Sequence, residues 1–390
     1  MIIPNVFANR SGLLHSGLAA SFHLNFTEPC QTTGTFLRFR GNNLSCEEDG
    51  GNMSVELFLD RKDAEVNAPT FDEVVMVKTV VLATMFVISF IGNVATVVQM
   101  FRVKRRSTIN KLKLQLAAAD LIVTFFCILV EAIWASTVQW KAGNAMCKIV
   151  KYMQIFGLYL STYITVIISL DRCCAILDPM SRTKSPRRVR MMIIVSWVLS
   201  AFFSLPQAVI FHVKRGPFKQ EFYQCVTHGS YTHHWQEQLY SALSLLFMFI
   251  IPLTIMVVSY GLIFCTIARK SRNYNDADVS PISDMLRGHV RSQLLRKAKK
   301  KSLRITFVIV LAFIVCWTPY YVIFIGFTYF NLRKIDPRIF LCFFFVGMSN
   351  SMLNPLIYGA FHICKVHNSR LVREAILLEF VSMYYDNVKL

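Results

Sequence analysis

Residues 147–173 read Cys147-Lys-Ile-Val-Lys-Tyr-Met-Gln-Ile-Phe-Gly-Leu-Tyr-Leu-Ser-Thr-Tyr-Ile-Thr-Val-Ile-Ile-Ser-Leu-Asp171-Arg172-Cys173, and no charge interrupts them between Lys151 and Asp171. As a helix rising about 1.5 Å per residue, this stretch separates Cys147 from Arg172 by roughly 37 Å. Crossing ~30 Å of hydrocarbon takes roughly 20 residues of helix. The stretch therefore reads as a membrane span with one end at each face.

Seven runs in the chain are long enough to do the same: about 74–101, 112–137, 148–176, 191–212, 238–267, 303–328 and 339–361. Composition agrees with this count. Of the 390 residues, 54% are hydrophobic and only 17% charged, against about 25% charged in a soluble domain. Mean hydropathy is +0.44. The net charge of +19 could point to nucleic acid, but the basic residues cluster between apolar runs. That placement suits loops beside an anionic leaflet, so membrane lipid is expected as a partner and nucleic acid is not. The expected fold is an all-α membrane protein, a seven-transmembrane helix bundle over residues 73–361. A glycosylated extracellular tail (1–72) precedes it, and a cytoplasmic tail (362–390) with a short amphipathic helix follows.

Two independent signals orient the bundle. The sequons Asn9-Arg-Ser, Asn25-Phe-Thr, Asn43-Leu-Ser and Asn52-Met-Ser all lie in the first tail, which places that tail in the lumen. Basic loops agree: Arg102 to Lys113 after the first run, Arg182 to Arg190 after the third, and Arg296 to Arg304 before the sixth. These alternate onto one side, the cytoplasm by the positive-inside rule. Met1–Ala20 lacks the basic start and compact apolar stretch of a signal peptide, so the first span is expected to act as its own insertion signal. Residues 268–302 read as a mobile internal loop whose basic end extends the sixth helix. Residues 361–380 mix apolar and basic positions as a surface-lying helix does.

Of the eleven cysteines, Cys127, Cys265, Cys316 and Cys342 sit inside apolar runs and read as buried thiols. Cys147 and Cys225 fall on the extracellular side, where a disulfide persists and would pin the intervening loop over the bundle mouth. A Cys30–Cys46 pair and palmitoylation of Cys364 are further readings. His228, His233 and His234 read as loop residues, and no metal site is expected from ligand spacing. Polar groups inside the spans include Asn93, Asp120, Ser161, Trp317, Asn350, Ser351 and Asn354. Such groups are expensive in lipid and default to function or helix–helix glue. Asp120 is either a buried hydrogen-bond hub or a cation site that empties when the bundle changes state.

Each span also carries a short motif. They are Gly92-Asn93, Leu116 to Asp120, Asp171-Arg172-Cys173, Trp197, Pro252 with Tyr260, Cys316-Trp317-Thr318-Pro319, and Asn350-Ser351 followed by Asn354-Pro355-Leu356-Ile357-Tyr358. Seven in order with coherent spacing resemble the rhodopsin-like G-protein-coupled receptors. That resemblance implies a sodium pocket at Asp120, Ser161, Trp317, Asn350 and Ser351, with no other cofactor. It also implies an activation switch of Asp171, Arg172, Tyr260, Trp317, Pro319, Asn354, Pro355 and Tyr358. Pro319 and Pro355 break helix hydrogen bonds where a helix can bend. Two residues depart from the family: Cys173 replaces a tyrosine, and Lys299 stands where many relatives carry an acidic partner for the arginine.

No lysine lies between Lys334 and Lys365, which argues against a retinal receptor, and Gln154 stands where an amine receptor carries aspartate. Thr137-Val-Gln139-Trp140-Lys-Ala-Gly143, Gln224-Cys225-Val226-Thr227-His228, Tyr320-Tyr321-Val322 and Pro355 to Gly359 are similar to gonadotropin-releasing-hormone receptors, whose superfamily includes adipokinetic-hormone and corazonin receptors. This similarity implies a short amidated peptide as ligand and a Gq-class heterotrimeric G protein as partner, acting through phospholipase C and calcium at the plasma membrane. It places Glu131, Trp134, Gln154, Ser241, Tyr320 and Phe327 around the peptide. Glu131 read alone is equally an end-of-helix carboxylate meeting water or Lys151. Gln154 replaces a lysine of vertebrate hormone receptors and Ala135 an asparagine. Asn354 together with Asp120, and the long tail, favour an invertebrate-type member. Few serines follow residue 365, which argues against arrestin recruitment through the tail. A transporter would show repeats with broken helices, and an intramembrane enzyme would need a nucleophile–base pair; neither pattern is found, so the chain is not expected to be an enzyme.

Overall fold

The computed structural model describes residues 35–40, 43–48, 67–102, 107–178, 185–218, 220–275, 285–329 and 337–360. Asn9, Asn25, Asn52, Cys30, Cys364 and the expected amphipathic helix lie outside these residues. Of Asn43, Cys46, Lys299 and Phe327 only the backbone is described. The chain divides into two compact units. The larger contains Thr70–Lys214 and Tyr223–Leu390, and the smaller contains Asn5–Pro69 and Arg215–Phe222.

In the smaller unit, strands β1 (Thr35–Arg40) and β2 (Asn43–Glu48) form an antiparallel pair running from Thr35↔Glu48 to Arg40↔Asn43. The sequence reading assigned this tail no strand. The pair flanks Gly41-Asn42, a two-residue hairpin signal of the kind that joins short strands.

The larger unit is helical. Helix α1 (Glu73–Arg102) starts where Asp72 Oδ1 accepts the Val75 N–H at 2.8 Å, and it carries Glu73 in its first turn and Arg102 in its last. Both placements complement the helix dipole. Helix α2 (Thr108–Thr137) is capped by Ser107 and contains a π-helical turn at Thr124–Leu129. Helices α3 (Gly143–Leu177) and α4 (Ser185–Ile210) follow. Strands β3 (His212–Arg215) and β4 (Tyr223–Val226) then form a second small sheet. Helix α5 starts as His234–Leu245, passes a π turn at Leu246–Ile250 and continues as Ile251–Asn275. Helix α6 is Met285–Tyr329, 45 residues long. Helix α7 is Pro337–Met348, with a further helical stretch over 350–360 after a turn at Ser349.

Six of these helices are long and apolar enough to cross a membrane. The seventh expected run is present but interrupted at Ser349. Two hydroxyls compete with the helix ladder there: Ser349 Oγ donates to Val346 O at 2.6 Å and Ser351 Oγ to Met348 O at 2.9 Å. Pro355 also has no N–H for the Ser351 carbonyl. Asn93 Nδ2 supplies the missing donor from α1 at 3.1 Å. Gly92, its neighbour, lets the helices approach: a Cβ there would stand 2.8 Å from the Pro355 ring.

Two expectations are corrected. The loop expected over 268–302 is mostly helix, because α5 runs on to Asn275 and α6 begins at Met285. The stretch after Pro281 is rich in Leu, Arg and Lys, all strong helix formers. Cys127 and Cys316 are buried, whereas Cys265 and Cys342 are exposed. In a helix with lipid for solvent, an apolar neighbourhood does not imply burial in protein. Helix α3 is the hub, with 78% of its apolar window buried against 17% for α1.

Candidate functional site

Cys147 and Cys225 are joined by a disulfide, as their shared extracellular placement led one to expect, and this ties the β3–β4 sheet to the start of α3. Trp140, Val150 and Phe211 pack on it. Trp140 N–H donates to Tyr223 O at 2.8 Å, and Asn144 Oδ1 accepts from Val213 N at 3.0 Å. Val138 in the α2–α3 turn has φ 59°, a region a β-branched residue rarely enters. Gln224 holds it there, since its Nε2 donates to Val138 O at 2.8 Å while its Oε1 accepts from Trp134 Nε1 at 3.0 Å.

Beneath this frame the π turn of α2 decides where side chains point. One inserted residue rotates everything beyond it by roughly 100°, and Glu131 and Trp134 lie beyond it. The turn also releases carbonyls from the ladder. Gln154 Nε2 on α3 donates to Phe126 O at 2.9 Å. The π turn of α5 is served likewise, by Tyr163 OH donating to Phe247 O at 3.3 Å.

Glu131 is buried and pairs with Lys78 of α1 at 2.8 Å. Lys151, also buried, lies over the rings of Trp134 (4.7 Å) and Phe211 (5.2 Å). The partner of Glu131 is therefore Lys78 rather than the Lys151 considered from sequence. Lys78 was overlooked, although it is the one charge in the run 74–101; a lone intramembrane cation calls for a named partner. Tyr320 is buried among the Trp317, Tyr321, Phe324 and Phe344 rings. Ser241 is buried on α5; among the described residues, no hydrogen bond links it to Glu131, Trp134 or Gln154. Nearby Gln207 donates to Tyr240 OH at 2.5 Å, a pair the sequence reading missed.

Deeper in the bundle, Asp120 is fully buried and accepts from Ser161 Oγ at 2.7 Å and from Asn354 Nδ2 at 2.8 Å. Thr124 Oγ1 bonds Asp120 O at 2.6 Å and Ser89 Oγ at 2.7 Å, while Asn93 Nδ2 bonds Ser89 O at 2.9 Å. A small cavity lined by Ser161, Thr162, Trp317, Asn350 and Ser351 adjoins this network. The Oδ1 atoms of Asn350 and Asn354 are buried without hydrogen-bond partners. A carboxylate, a hydroxyl and two unmatched amide oxygens are the hard oxygen donors that suit a small alkali cation. Gly347 admits the Trp317 ring, which would lie 2.8 Å from a Cβ at that position.

At the Arg172 end, Arg172 is ion-paired with its neighbour Asp171, and Ser185 Oγ of α4 donates to Asp171 Oδ1 at 3.2 Å. Tyr260 packs edge-on to Phe307 at 5.6 Å. The Lys113 ammonium of α2 lies over the Tyr358 ring at 4.5 Å.

Comparison with known proteins agrees with this arrangement. A gonadotropin-releasing hormone receptor of Octopus vulgaris is 56% identical over 310 residues, covering 78% of this chain and 75% of that protein. A gonadotropin-releasing hormone II receptor of Clarias gariepinus is 34% identical over 298 residues, 75% of this chain and 77% of its own. An isotocin receptor of Catostomus commersonii is 32% identical over 330 residues, 83% of this chain and 81% of its own. Residues 92–358 match the 7 transmembrane receptor (rhodopsin family) profile. With its apolar helices, its buried Asp120 network and its Asp171-Arg172 pair, the chain belongs to the rhodopsin family of seven-transmembrane receptors and is a multi-pass membrane protein.

Proposed function

We propose that this chain is a plasma-membrane receptor for a short amidated peptide hormone of the gonadotropin-releasing-hormone type. Its amino terminus is outside, and it signals mainly through a Gq-class G protein, phospholipase C and calcium without itself being an enzyme. The observation that carries this reading is the 56% identity to the octopus receptor over most of both chains. The part-buried Lys78–Glu131 pair beside the buried Lys151 gives that end of the bundle a charged site in which a peptide can be held by a few convergent polar groups.

Peptide contact near Glu131, Lys151 and Tyr320 would press on the ring cluster that ends at Trp317. Pro319 leaves the Val315 carbonyl without its helix donor, a place where α6 can bend. Outward movement of the lower part of α6 then exposes Arg172, Tyr260 and Tyr358 to the G protein. Asp120, Ser161 and Asn350 would hold sodium in the resting bundle, supplying a positive charge that the closed network favours. Asn9, Asn25, Asn43 and Asn52 are the proposed glycan sites.

The test is calcium release in cells expressing the full chain, challenged with gonadotropin-releasing-hormone-like, adipokinetic and corazonin-like peptides. A response led by the first group is expected. A response confined to another group would reassign the ligand, and silence to all of them would contradict the reading.

A further inference from the structure

Lys151 is 4% exposed, and the described contacts of its ammonium are with aromatic rings. The Trp134 and Phe211 rings face it at 4.7 and 5.2 Å. Such contacts use the charge but supply no acceptor for the three N–H donors of an ammonium. The nearest carboxylate, Glu131, is already engaged by Lys78 at 2.8 Å. Two lysines thus share one carboxylate, and the trio carries an excess positive charge in a place where burial is expensive without a partner. Gln154, one turn deeper on α3, has its amide nitrogen committed to Phe126 O at 2.9 Å.

We propose that Lys151 is the side chain that donates to an oxygen of the bound peptide, a carbonyl or a carboxylate, and that Lys78 keeps it available by holding Glu131. The inference rests on the peptide-receptor reading and assigns a ligand contact within it. Lys78 is a positioning residue: by binding Glu131 from α1 it prevents the carboxylate from closing onto Lys151 and filling the vacancy. The rings of Trp134 and Phe211 set the direction of the ammonium. Trp134 is itself anchored to Gln224 beside the disulfide, so the donor is fixed before ligand arrives.

The probe is the amidated octopus gonadotropin-releasing hormone, applied to the full-length receptor with responses normalised to surface expression. Lys151→Met should raise the half-maximal concentration on the order of 10- to 100-fold, the range for losing a hydrogen bond to a charged donor. Lys151→Arg should lose less. A set of analogues, each with one peptide carbonyl reduced to methylene, locates the acceptor. One analogue should lose potency on the wild type but not lose further on Lys151→Met. If the free-acid peptide is the more potent form on the wild type and loses that advantage on Lys151→Met, the acceptor is its terminal carboxylate. Should Lys151→Met fail to reach the surface, Lys151→Gln and Lys151→Arg serve the same analogue series. Potency within about twofold of wild type, or full additivity with every analogue, would overturn the inference while leaving the receptor reading intact. A wild-type receptor silent to all peptides would overturn both.

Discussion

The two ends of the bundle bury charge in opposite ways. At the Cys147 end the pair is Lys78 with Glu131, on two different helices, with Lys151 of a third helix beside it and a disulfide above. At the Arg172 end the pair is Asp171 with Arg172, adjacent on one helix, and Ser185 of α4 donates to Asp171. Charges that bridge helices fix their spacing, because separating them strands a buried ion. A pair within one helix leaves its neighbours able to move. One end is built as a frame for receiving, and the other as a latch that can open.

The largest expected effect comes from breaking the frame. Glu131→Gln removes the carboxylate beside Lys78 and the buried Lys151 and should weaken peptide potency on the order of 100-fold while surface expression holds; unchanged potency would count against the role given to this residue. Next is the joint between α1 and α7. Gly92→Ala puts a methyl against the Pro355 ring, where a Cβ would have only 2.8 Å. Overpacking of this kind costs about 1–3 kcal/mol, read as a lower melting temperature of the detergent-purified receptor.

The latch should respond in the other direction. Lys113→Met removes the cation from over the Tyr358 ring, a contact worth about 1–2 kcal/mol when desolvated. Basal inositol phosphate production should rise several-fold without peptide, and Lys113→Arg should stay near wild type. The smallest effect belongs to the frame's strained turn. Val138→Asn suits φ 59° better than a β-branched residue and should stabilise by about 1 kcal/mol or less, with potency unchanged.

Much of this was legible in the sequence, because lipid forces apolar runs and basic loops into the open. The helices, the polar residues of their interior and the Cys147–Cys225 bridge could be placed from residues alone or from family motifs. The pairing of Lys78 with Glu131 could not. It depends on the π turn at Thr124–Leu129, and one extra residue per turn leaves the apolar pattern of a membrane helix unchanged, since most sides face apolar surroundings. The break at Ser349 was hidden for a related reason: it arises from the competition of Ser349, Ser351 and Pro355 with the ladder, and it is stabilised by Asn93 more than 250 residues earlier. The hairpin around Gly41-Asn42 was signalled, but the polar composition of the tail obscured it.

The central claim is that a ligand held at the Cys147 end moves α6 at the Arg172 end. Spin labels at Asp178, the residue that caps the end of α3, and at Arg304 on α6, measured by double electron–electron resonance with and without the amidated peptide, test it directly. The account predicts a shift of the distance distribution to longer values on peptide addition, abolished by Glu131→Gln at the same peptide concentration. An unchanged distribution, in a receptor shown to bind the peptide, would contradict it.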